Sequence, residues 1–114
     1  MHQQIYEKLK SVAINVETAY YNEVAPLANL DMSKPDHRTK LGKILCEISE
    51  YEHEQKRPML SAVVILKDKN MPGKGFFDLA RELGKYKDKD DFRFFLKELV
   101  KVHDYWREQK KTKN

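Results

Sequence analysis

The chain is poor in the residues that staple, break or span. It holds a single cysteine, Cys46, among 114 residues. No internal disulfide can form, and a cytoplasmic location is the expectation. No apolar run approaches the roughly 20 residues that a membrane helix needs, so no membrane partner is expected. The opening MHQQIYEKLK lacks the charged-then-apolar layout of a secretion signal. Glycine and proline number four each, too few for a flexible linker or a low-complexity segment. These absences leave one soluble domain, long enough for a real core and too short for two.

Charge of one sign is scarce too, once it is located. The formal net charge is +4, yet REQKKTKN at 107–114 has four bases against one acid and carries +3. Residues 1–106 hold the remaining +1. The expected division is therefore a globular domain over 1–106 and a basic, solvated C-terminal tail over 107–114. Any functional charge in the body must be arranged locally.

Most of the chain reads as helix. Ile5, Leu9, Val12, Ala13, Val16, Ala19 and Tyr20 recur at helical spacing and predict a first helix over 3–21. Pro26 and Pro35 restrict the next segment to a short helix around Glu23–Asn29 and a turn. Leu41, Ile44, Leu45, Ile48 and Tyr51 then mark a helix over 36–55. After Gly75, FFDLARELG reads as a short helix with Gly84 at its C-terminal cap. A last helix is expected over 90–107, burying Phe92, Phe95, Leu96, Leu99, His103 and Trp106.

One stretch breaks the helical period. MLSAVVIL at 59–66 is β-branched and apolar on both faces except at Ser61, which predicts a buried strand. A strand's backbone must pair with something. Two partners are open: residues 74–77, closing a short hairpin across the lysine-rich turn at 67–74, or a second copy in a homodimer. The fold class expected is α+β and mostly helical, with one strong strand and a short β-hairpin.

The helix over 36–55 carries its charge backwards. Residues 33–43 sum to +3 and residues 44–56 to −3. A helix dipole favours the opposite order by about 0.3–1 kcal/mol per charge. Cations crowded where backbone N–H groups already attract anions suit an anionic ligand such as phosphate. The order of helix, short helix, longer helix and hairpin resembles a winged helix-turn-helix domain. YNEVAPLA at 21–28 also resembles the Tyr-Gly-Glu-Val-Ala lead into the DNA-binding segment of alkyltransferase-like proteins. Asn22 stands where that family has glycine, and its Pro-Cys-His-Arg motif is absent, so alkyl transfer is not implied. The winged-helix resemblance implies duplex DNA as partner and the N-terminal half of the third helix in the major groove. Thr39 and Lys43 are then placed to reach base edges, while Arg38, Lys40, Lys67, Lys69 and Lys74 suit phosphates.

Chemistry is not signalled. Asp36 and the Glu54-Gln55-Lys56 triplet share the spacing of a PD-(D/E)xK nuclease, but both fall on helix where that reaction needs paired strands around a metal. His2, His37, His53 and His103 have no metal-ligand spacing, and Ser61 lacks a nucleophile motif. No catalytic residue, metal or cofactor is expected. The alternative to DNA binding is a protein-binding module, an inhibitor or accessory subunit. Its expected docking surface is Phe94, Lys97, Lys101 and Tyr105 on the last helix, since aromatics are enriched in interface cores.

Overall fold

The structure, a computed structural model, describes residues 1–112. Helix α1 (Gln3–Ile14) opens on His2, whose Nδ1 accepts the Ile5 N–H at 3.2 Å. It stops well short of residue 21. The Val16 N–H returns to Ala13 and the Glu17 N–H to Val12, with Val16 at φ 56°. This pair of bonds is a Schellman ending, here on a β-branched residue where glycine is usual. The chain can then extend into strand β1 (Ala19–Tyr20), a single helical turn α2 (Tyr21–Val24) and a 3₁₀ turn (Ala25–Ala28).

Helix α3 (Pro35–Glu54) comes next, with Pro35 in its first turn, where a missing N–H costs nothing. A second 3₁₀ turn (Leu60–Val63), strand β2 (Val64–Ile65), helix α4 (Lys74–Glu82) and helix α5 (Asp91–Thr112) complete the order. Gly84, at φ 74°, closes α4 as expected, the Lys85 N–H reaching back to Ala80. The expected tail is helical as far as Thr112, and Lys113 and Asn114 lie outside the described residues.

The 59–65 run is the centre of the molecule, and every residue in it is buried. Helices α1, α3 and α5 all pack against its 3₁₀ portion. The expected strand over 59–66 is thus reduced to Val64 and Ile65, and the reason lies in where the amides go. Glu98 Oε2 accepts the Met59 N–H at 2.9 Å, and Ser49 Oγ accepts the Ser61 N–H at 3.0 Å. Buried backbone groups need partners, and here two side chains from neighbouring helices supply them. Only β2 is left to pair. Its partner is β1, in parallel, with Ala19 opposite Val64 and Tyr20 opposite Ile65.

No hairpin crosses the 67–74 turn. Leu66 and Met71 are bridged (Leu66 N–H to Met71 O, 2.9 Å), the Asn70 N–H returns to Leu66, and residues 74–77 already belong to α4. A glycine at residue 73 is a better helix start than a strand, because Pro72 beside it donates nothing to a ladder. The fold is therefore mostly helical α+β, with a two-stranded parallel sheet instead of a wing-like hairpin.

Helix phase also differs from expectation on α5. Phe95, Glu98, Val102 and Trp106 face the core, whereas Phe92 and Leu96 are exposed. Counting Glu98 as polar and outward shifts the apparent stripe by about one residue. Its carboxylate is in fact 1% exposed, bridged to Lys85 Nζ at 2.8 Å. Glu52 on α3 is its counterpart, fully buried between the Tyr6 hydroxyl at 3.1 Å and the Arg57 guanidinium at 2.7 Å.

Candidate functional site

A pocket of about 390 Å³ opens between α3, β2 and the start of α4. One wall is a single line on α3, Arg38, Gly42 and Cys46, four residues apart and so stacked on one helix face. Tyr20, Tyr21 and Met32 form the second wall, and Ile65, Leu66 and Phe76 the third. Ser61 and Leu45 lie at its base. Ligand pockets run from roughly 300 to 1,000 Å³ and are mostly apolar with a few placed polar groups. This one fits that description at the small end.

Gly42 is what opens it. The residue sits in the interior of α3, where glycine costs about 1 kcal/mol relative to alanine. No packing constraint explains it, since a Cβ at this position meets nothing within 4 Å. The bare backbone therefore faces open space.

The polar groups are few and specific. The Tyr21 hydroxyl accepts the Gly73 N–H at 2.8 Å, which ties the 66–73 turn to α2 and leaves the phenol proton free to donate. Burial pushes the Tyr21 phenol above its ordinary value, so it stays protonated at neutral pH. The Cys46 Sγ is 3.8 Å from the Gly75 carbonyl. Burial, then Glu50, Glu82 and Asp78, raise this thiol as well. It is a poor nucleophile there, because the thiolate is the reactive form. Ser61 is committed elsewhere: its hydroxyl is 2.6 Å from that of Ser49. Among the described residues, Arg38 and Lys67 are the cations in the lining, and no carboxylate lines it. Lys67 lies over the Tyr20 ring at 5.7 Å, which holds its ammonium near the mouth.

The other sequence-predicted residues are dispersed around this site. Arg38, Thr39, Lys40 and Lys43 are exposed on the N-terminal half of α3, with the Thr39 hydroxyl bonded to the Pro35 carbonyl. Of the seven DNA-binding candidates, only Arg38 and Lys67 line the pocket. Lys69 and Lys74 line a separate shallow depression, and Lys74 is 3.9 Å from Asp78. On α5, Phe94 and Tyr105 are half-buried, not outward as expected. Phe94 stacks on Tyr86 at 4.6 Å and Tyr105 meets Trp106 edge-on at 5.1 Å. Lys97 and Lys101 are exposed.

Tyr20, Tyr21 and Met32 are not legible as pocket residues in the sequence, because they reach the pocket through an irregular segment with no period. Gly42 carried the available signal, a glycine inside an otherwise regular helix. Among the described residues no group of histidine, cysteine and carboxylate side chains is placed to hold a metal ion. No helix among them is long and apolar enough to cross a membrane. The chain matches no known protein family, no curated protein and no solved structure with which it was compared.

Proposed function

We propose that this protein is a non-catalytic binder of a small amphipathic anion, held in the pocket between α3, β2 and α4. The observation that carries this reading is the lining itself: apolar walls, two cations at the mouth and, among the described residues, no carboxylate. An apolar ligand body would displace poorly held water from Tyr20, Met32, Ile65 and Phe76. Its acid group would meet Arg38, with a fork of donors, and Lys67. Calorimetric titration with decanoate and with decanol tests this. Decanoate should bind, decanol more weakly, and Arg38→Ala should weaken decanoate by about tenfold while leaving decanol unchanged. Equal loss for both, or no binding of either, refutes the proposal.

A second reading, DNA binding by a winged-helix-like domain, is favoured by one observation. Arg38, Lys40, Lys43, Lys67 and Lys69 are exposed, and among the described residues none is paired with a carboxylate. Here α3 serves as the recognition helix and the closed 66–73 turn takes the place of a wing. Duplex binding measured across salt concentrations tests it. Replacing Arg38, Lys40 and Lys43 with alanine should flatten the salt slope by about one unit for each phosphate no longer neutralised. Binding that survives this triple change but vanishes on deletion of 107–114 excludes α3 as the reader.

A further inference from the structure

Helix α5 carries an outward face that the fold does not use. Phe92, Leu96 and Val100 are 51%, 43% and 57% exposed. They are four residues apart, so they form one row along the helix, about 12 Å long at 1.5 Å per residue. Single exposed apolar residues are ordinary, but a continuous row marks an interaction site. The next row around the helix is Arg93, Lys97 and Lys101, also exposed. Among the described residues none of these three cations is paired with a carboxylate. Glu98, one turn away, is occupied by Lys85 and the Met59 amide.

We infer that this face docks an amphipathic helix of a partner protein, with apolar residues on its docking stripe and carboxylates along one edge. An i, i+4 row is what a helix laid alongside reads. The three free cations lie on one side of the row only, so they match one acidic edge. A helix resting in an anionic membrane would carry cations on both sides of its apolar stripe. An antiparallel second copy is disfavoured by symmetry. In an antiparallel two-fold pair each flank faces its own counterpart, which would bring Arg93, Lys97 and Lys101 against the same cations of the other copy.

The test uses two labelled model peptides, each a leucine-striped helix of roughly 18 residues, one with glutamates flanking the stripe and one with lysines. Polarisation titrations should show the acidic peptide bound about tenfold or more tightly than the basic one. Leu96→Gln, at an exposed position that the core does not need, should cost the acidic peptide about tenfold. Reversing Arg93, Lys97 and Lys101 to glutamate should invert the preference, which a loss of folding cannot do. The inference is overturned if the two peptides bind equally, or if neither binds below about 1 mM. It is overturned equally if Leu96→Gln instead releases the protein from phosphatidylglycerol vesicles or dissociates a dimer in sedimentation.

Discussion

The buried 59–65 segment has two flanks, and they are finished differently. Towards α1 and α5 the space is filled, and even carboxylates are admitted: Glu98 caps the Met59 amide and Glu52 binds Tyr6 and Arg57. Beside Gly42 and Cys46 of α3 and the start of α4, the same segment borders a void that has Ser61 in its lining, although the rest of α3 packs against it. A chain that can place a charge at the centre of one flank does not lack the means to pack the other. The filled flank holds the buried carboxylates, and the open flank holds the space for the proposed ligand.

This contrast can be broken from either side. The largest effect should come from Glu98→Ala, which strands the Lys85 ammonium and leaves the Met59 amide without its acceptor. Breaking a buried pair costs about 3–5 kcal/mol, so urea unfolding should show a large drop in midpoint. A drop below about 1 kcal/mol, the size of one ordinary hydrogen bond, would mean that water replaces the carboxylate easily and the flank is not sealed.

Ser61→Ala removes the hydroxyl contact to Ser49 and should cost about 1 kcal/mol. Pocket binding should persist, since the hydroxyl is already bonded to that of Ser49. Loss of decanoate binding in a variant that melts like the parent would place Ser61 in the site itself.

Smaller and of opposite sign is Gly42→Ala, expected to raise stability by about 0.5–1 kcal/mol, because the added methyl enters open space on a helix. The longer Gly42→Leu should block decanoate while keeping the protein folded. A destabilised Gly42→Ala protein would show that the void is absent in solution.

The slightest change concerns Cys46. Its thiol is raised by burial, so at pH 8 iodoacetamide should modify the native protein more slowly than the urea-unfolded chain. The gap should close as pH rises through the folded value, and bound decanoate should widen it. A native rate above the unfolded one would contradict an enclosed thiol.

Sequence and structure part company where backbone pairing and helix phase are decided by tertiary context. The helices over 36–55 and 90–107 are legible from period alone, and Gly84 from its place at a helix end. The apolar run at 59–66 is legible as buried but not as mostly 3₁₀. Its amides are satisfied by Ser49 and Glu98, side chains 12 and 39 residues away, which no local pattern reveals. A buried stripe drawn from apolar residues alone leaves out Glu98 and so conceals the exposure of Phe92 and Leu96. Of the pocket, Arg38 and Lys67 stand out for their charge, while the aromatic wall at Tyr20 and Tyr21 is hidden by the early end of α1 at Val16.

Helices α1 and α5 pack together across the central segment, and the His103 Nε2–H donates to the Glu17 carbonyl at 2.8 Å, 86 residues apart. During synthesis this has a consequence of order. Until α5 has left the ribosome, Met59 lacks the Glu98 acceptor and the apolar faces of α1 and the 59–65 run lack their cover. At about 5–20 residues per second, the last helix of 22 residues adds roughly one to four seconds in which the nascent core stays open. Helix α5 is the element that ends that interval.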